Sequence, residues 1–166
     1  MPNHHRSGRS RARVVAGIIL LAAFGLASPA FAGSCPANQV TAPGKGQPKS
    51  DAAASGVTDT VVVSTDLSKE PSSIKNRLFR LRKLVIAPGG IVPWHSHGDR
   101  PALITIISGE IVEYASNCAV PIVHKAGEST AETHATSHWW KNTGTETVVL
   151  YSADLFPTAS HDGHMM

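Results

Sequence analysis

Apolar positions fall into one long unbroken run near the N-terminus and a series of short, alternating runs after it. The long run is Val14-Val15-Ala16-Gly17-Ile18-Ile19-Leu20-Leu21-Ala22-Ala23-Phe24-Gly25-Leu26-Ala27, fourteen uncharged residues. Residues 33–56 are Pro, Gly, Ala, Ser and Lys with scarcely any bulky apolar side chain, too little to offset the entropy of ordering, and read as a flexible arm. Short β-branched segments follow, separated by turn signals. They are Thr60-Val61-Val62-Val63-Ser64; residues 78–86, ending at Pro88-Gly89-Gly90; residues 102–107, stopped by Ser108-Gly109; and residues 111–114, read as the second arm of a hairpin. Ile122-Val123 leads to Gly127, residues 138–142 precede Gly144, and residues 147–151 run toward Leu155 and Phe156. No segment after residue 32 keeps a helical period for three turns. The pattern predicts one all-β domain over 57–157, an antiparallel sandwich or barrel, with 158–166 as a tail.

The long run has the layout of a secretory leader. Arg6, Arg9, Arg11 and Arg13 precede it, and Ser28-Pro29 breaks it. Ala30-Phe31-Ala32 places small residues two apart before Gly33, so residues 1–32 read as a signal peptide cleaved after Ala32. Fourteen apolar residues fall short of the roughly 20 that span a bilayer, which argues against a retained anchor. Ala32-Gly33-Ser34-Cys35 is a poor acylation box, which argues against a lipid anchor. The expected protein is exported, periplasmic or secreted, and free of the membrane after cleavage.

Charge matters through its placement. The 166 residues carry 15 Lys and Arg against 12 Asp and Glu, formally +3. Residues 1–32 hold four of the basic residues and none of the acidic ones, leaving −1 for the rest. No basic nucleic-acid-binding surface is expected. Cys35 and Cys118 are the only two cysteines. In an oxidising compartment such a pair invites a disulfide that closes a long loop and pins the arm. Free thiols and a bond between chains are the alternatives.

Seven histidines lie beyond residue 32: His95, His97, His124, His134, His138, His161 and His164. His95-Ser96-His97 puts two imidazoles on one face of an extended segment, because side chains alternate with period two. Neutral imidazoles in that arrangement suit a borderline transition metal once a distant strand adds a third. The same period puts Trp140 and Asn142 on the face of His138 and turns Trp139 and Lys141 away. It also puts Ala102, Ile104 and Ile106 on one face of their strand. Trp94 flanks the first pair, and all three tryptophans lie within two residues of a candidate ligand, as pocket wall or as core filling. Arg100 is a rim residue. Arg80 and Arg82, with Lys83 beside them, either orient an anion or occupy a solvated strand face, the commoner arrangement. His161-Asp162-Gly163-His164-Met165-Met166 carries metal-friendly side chains on what reads as a frayed tail.

Gly89-x5-His95-Ser96-His97-x4-Ala102-x6-Gly109 resembles the first motif of the cupin superfamily. Eighteen residues past Gly109, Gly127-x10-His138-x3-Asn142 resembles the second. The resemblance covers about 78–155 and implies a cupin-type antiparallel double-stranded β-barrel, or jelly roll, in a single domain. It implies His95, His97 and His138 as metal ligands, and homodimers are common in such barrels. Leu103, Ile107 and Val112 offer an outward apolar face consistent with that. The chain departs from the pattern at Ala102, where the family's ligand Glu falls, with Pro101 before it. It departs again at Thr133 and Ala135, which replace the usual Pro and inner Gly.

Two readings follow. One is a three-His site, as in some cupin dioxygenases; the other is a domain without a catalytic metal. Three neutral ligands leave the charge of a divalent ion uncompensated and favour a small anionic, chelating molecule. Fe(II) suits such an open site first, with Zn, Ni, Cu and Mn as alternatives. Asp99, Glu132 and His134 are candidate fourth ligands, His134 foremost. The expected function is an exported metal-dependent dioxygenase-like oxidoreductase. The competing expectation is a metal- or small-molecule-binding or sensing module without turnover, and a third is a structural domain with relic histidines.

Overall fold

The computed structural model describes Met1 and residues 33–158. Residues 2–32, read above as a signal peptide, and most of the expected tail, including His161 and His164, lie outside the described residues. Eight strands follow in order: β1 Ser55–Asp66, β2 Arg77–Ser96, β3 Ala102–Ser108, β4 Glu110–Ala115, β5 Ile122–Lys125, β6 Ser129–Glu132, β7 Ser137–Lys141 and β8 Val148–Pro157. Two short 3-10 turns, Ala37–Gln39 and Leu67–Lys69, are the only helical pieces among the described residues. Among the described residues no helix is long and apolar enough to cross a membrane.

All pairings are antiparallel, in the order β5-β4-β7-β2-β8-β3-β6, with β1 on the other edge of β2. Strand β2 joins the two halves of the nearly closed barrel. Its first part, from Arg77 to Ile86, lies between β1 and β8, and its last part, from Ile91 to Ser96, pairs with β7. Pro88-Gly89-Gly90, which reads as a strand stop in the sequence, is instead the bend at which β2 changes partner. The fold is the all-β cupin jelly roll.

One local expectation is overturned. The segments on either side of Ser108-Gly109 do not form a hairpin: β3 pairs with β6 and β8, whereas β4 pairs with β5 and β7. The turn carries the chain from one half of the barrel to the other, and each strand finds partners far along the chain, as nested jelly-roll connections require.

Alternation works as the period predicts. Ile86, Ile104, Ile106, Ile111, Trp140, Val148 and Leu150 form the core with Leu84 and Val92. Leu103 and Ile107 are exposed, but Val112 is buried along with Ile111 and Glu113. Strand β4 is thus covered on both faces, and the outward apolar face lacks its third member.

The arm is more ordered than its composition implies. Cys35 and Cys118 are disulfide-bonded with Cα atoms 5.8 Å apart. Thr41, Gly46 and Gln47 donate backbone bonds to the carbonyls of Asn117, Ser116 and Ala115, and Val40 bridges to Cys118. A Cβ at Gly46 would lie 2.4 Å from the Cys118 backbone, so the small residues that weaken a core are what let this segment lie flat on the barrel. Closing an 83-residue separation in the unfolded chain stabilises the fold by about 4–5 kcal/mol in the chain-entropy model.

Candidate metal centre

His95 and His138 are direct partners across β2 and β7, so their side chains share a face. His97 follows at period two, just past the end of β2, its N–H bonded to Thr136 O at 2.9 Å. The three Nε2 atoms converge. His95–His97 is 3.1 Å, His97–His138 3.0 Å and His138–His95 3.1 Å.

Each ring is fixed from behind. His95 Nδ1 donates to Pro93 O at 2.9 Å and His97 Nδ1 to Arg100 O at 2.8 Å. His138 Nδ1 bonds Glu113 Oε1 at 2.6 Å. With Nδ1 carrying the proton, neutral rings aim three lone pairs at one another, which is repulsive unless a cation lies between them. The spacing would let all three nitrogens reach one ion at metal–nitrogen bonds of about 2.1 Å.

Burial keeps two of the rings in the ligating state. It lowers His95 well below the ordinary histidine range and His97 to about 3, and charge on His138 adds to both. For His138 burial acts the same way, but the hydrogen bond and charge of Glu113 outweigh it and raise the ring. Burial would raise Glu113 too. Hydrogen bonds from His124 and His138 win, and its carboxyl falls to about 2.

Glu113 is the residue that sequence reasoning missed. It is buried and takes a second bond from His124 Nε2 at 2.8 Å, and the His124 ring stacks on Trp140 with centroids 4.5 Å apart. The signal was available: Ile111, Glu113 and Ala115 alternate along one strand, and an acid at an inward position demands a partner.

The candidate fourth ligands separate. His134 is exposed in the turn after β6, and Asp99 is exposed and ion-paired to Arg77. Neither belongs to a metal-competent cluster of the described residues. Glu132 is buried, directly across from Ala102 on β3, with Oε2 3.6 Å from His138 Nδ1. With Glu113 and His138 it forms a second cluster of metal-competent side chains, separate from the three-histidine one. Burial and the charge of Glu113 raise it to about 7, and its Oε1 has no hydrogen-bond partner. Ala102 also pairs with Asp154 across β8, so two carboxylates flank the position where the family places its Glu.

Arg80 and Arg82 do not lie on a solvated strand face. Arg80 grips Asp154 with Nε–Oδ1 at 2.9 Å and Nη2–Oδ2 at 2.7 Å. Arg82, buried, pairs with Asp59 and reaches Asp154 at 3.3 Å, and Arg100 Nη1 is 3.6 Å from the same carboxylate. The buried Asp154 collects all three guanidiniums, a convergence that comes from β2–β8 register and not from local spacing.

A cavity of about 30 Å³, one water's worth, opens beside the histidines. Of the expected pocket residues, Arg100, Ile104 and Trp140 line it, together with Asp59, Arg82, Leu150 and Ser152. Trp94, Ala102 and Asn142 do not line it. Asn142 is fully buried but holds the turn before β8, donating to Ile86 O and Glu146 O while Gly144 N donates to its side chain. Trp94 is half-buried near the β2 register shift, and Ala102 is buried.

Residues 82–154 match the cupin domain family model. Among solved structures the chain is similar to the cupin domain of Schizosaccharomyces pombe Cnp3, with a TM-score of 0.50 and 18% identity over 63% of this chain and 67% of that one. It is equally similar in fold to a Klebsiella pneumoniae protein with a double-stranded β-helix domain, with a TM-score of 0.50 and 20% identity over 70% and 87%. An oxalate oxidase bound to the substrate analogue glycolate gives a TM-score of 0.46 at 20% identity over 60% of this chain, which spans half of that one. No curated protein sequence matches significantly. The motif-bearing strands, the jelly-roll order and the family match agree: residues 82–154 match the cupin domain family, and the described residues have the cupin fold.

Proposed function

We propose that this cupin is an exported, metal-dependent, dioxygenase-like oxidoreductase that acts on a small anionic molecule through His95, His97 and His138. One observation carries the reading: three Nε2 atoms 3.0–3.1 Å apart, each ring held in the ligating tautomer by its own Nδ1 bond. A bound divalent ion, Fe(II) first and Zn, Ni, Cu or Mn as alternatives, would supply Lewis acidity and, if redox-active, electrons. The protein's own residues supply the rest. Neutral ligands leave the centre cationic, which favours an anionic ligand on it. Ile104, Leu150 and Trp140 keep the wall dry, and the small volume restricts the size of the occupant.

A second reading, a binding or sensing module without turnover, is favoured by a different observation. Among the described residues the Nε2 triangle has no carboxylate in its cluster. Oxygen uptake separates the two. Fe(II)-loaded protein is mixed with small thiols, diketones and phenolic acids in an oxygen electrode. Uptake that disappears in His97→Ala supports the enzyme. Ligand-induced spectral change with no uptake supports the binding module.

A further inference from the structure

The three ligand rings rest on supports of two kinds. His95 and His97 donate to main-chain carbonyls, those of Pro93 and Arg100. His138 donates to a side chain, Glu113, at 2.6 Å. A carboxylate turns readily about its terminal bond, so it fixes a ring only if it is itself fixed. Glu113 is fixed from both sides. On β4 it stands across from Ile122 of β5 and Trp140 of β7. Its carboxylate reaches one diagonal neighbour on each side: His124 on β5, the partner of Ile111, and His138 on β7, the partner of Ala115. Oε1 accepts from His138 Nδ1, and Oε2 accepts from His124 Nε2 at 2.8 Å. All three side chains are buried. Trp140 packs on both imidazoles. It stacks on His124 with centroids 4.5 Å and planes 20° apart, and meets His138 edge-on at 5.5 Å and 86°.

We propose that His124 is a positioning residue for the metal centre: by holding Glu113 Oε2 it keeps Oε1 on His138 Nδ1, and so keeps His138 Nε2 aimed at the other two ligands. Without a donor at position 124, Oε2 is a buried acceptor that has lost its partner. The carboxylate then turns toward another donor and Oε1 leaves Nδ1. The His138 ring thereby loses the bond that sets its orientation and the place of its proton. His95 and His97 have no such dependence, because peptide groups support them. The consequence at the metal rests on the three-His reading, whereas the two hydrogen bonds of Glu113 need no metal.

Two variants separate donation from packing. His124→Gln keeps an N–H donor and loses the ring that stacks on Trp140, whereas His124→Phe keeps a ring and loses the donor. The first readout is the proton spectrum of the folded, metal-free, isotope-labelled protein. There the short bond from His138 Nδ1 to Glu113 should give a far-downfield signal, identified by its loss in His138→Gln. The signal should persist in His124→Gln and leave that region in His124→Phe. The second readout is Co(II) binding, by competition with a chelator and by the visible spectrum of the bound ion. His124→Phe should bind about tenfold more weakly with a shifted spectrum, and His124→Gln should regain most of both. A histidine needed only for packing would give the opposite order, with His124→Phe the milder change. A downfield signal that survives in His124→Phe, its equal loss from His124→Gln, or unchanged Co(II) affinity in His124→Phe would overturn the proposal. Failure of the unsubstituted protein to bind Co(II) would overturn the three-His reading instead, and the proton signal would still decide this one.

Discussion

Strand β2 carries two polar clusters that solve burial in opposite ways. Near its C-terminal end, His95 and His97 meet His138 as neutral rings, secured by two carbonyls and one carboxylate. In its first half, Arg80 and Arg82 meet Asp154 and Asp59 as full charges matched by opposite charges. The ionic cluster completes itself with the chain's own groups. The histidine cluster does not: with Nδ1 protonated its Nε2 lone pairs point at one another, and what relieves them is a bound cation or an added proton on His138, whose ring Glu113 raises. The contrast distinguishes a cluster built for the fold from one built for something the chain does not encode.

The sharpest way to break the comparison is to remove a ligand. His95→Ala should lower metal affinity by about a thousandfold. His95 is half-buried and bonded only to a carbonyl behind it, so thermal melts of the metal-free protein should change little. Next, Asp154→Ala leaves three guanidiniums without their shared carboxylate and should cost about 3–5 kcal/mol in denaturant unfolding. Molecules that remain folded should still take up metal. Glu113→Gln touches the ligand set only through His138 and should weaken metal binding by about 10–100-fold, read by competition with a chelator.

The smallest effects, in pH, should separate the clusters along the acid limb of the metal-free protein. His97 binds its proton near 6.5 unfolded and at about 3 folded, so its contribution is complete above 6.5 and falls away as the pH drops through about 3. Asp154 is lowered from 3.8 because Arg80, Arg82 and Arg100 outweigh the opposing effect of burial. Its contribution is present above 3.8 and is lost as the pH falls through the lower folded value. Melts between pH 7 and pH 2 should show the first loss early and the second late, and Asp154→Asn should flatten only the second.

Much of this was legible in the sequence because it depends on short-range spacing. Period two placed His95 with His97, and His138 with Trp140, before any partner strand was known. The motif gap linked the two sets. What stayed hidden depends on register. The Arg80–Asp154 pair spans 74 residues and exists because β2 lies beside β8. The same register hid the carboxylates on both sides of Ala102, and the expected β3–β4 hairpin failed because nested connections override a local turn signal. Glu113 differs: its alternation with Ile111 and Ala115 marks it as inward in the sequence, but which partners it meets depends on the pairing of β4 with β5 and β7. The arm's order was invisible because it comes from a covalent bond and backbone pairing, not from apolar burial.

The central claim is that His95, His97 and His138 hold a metal ion. Elemental analysis of the chain from Gly33 onward, purified without an affinity His-tag beside the His95→Ala/His138→Ala double variant, tests it directly. The account predicts near-stoichiometric transition metal in the first and none in the folded second. Absence of metal from the first, even after anaerobic loading with Fe(II), would contradict it.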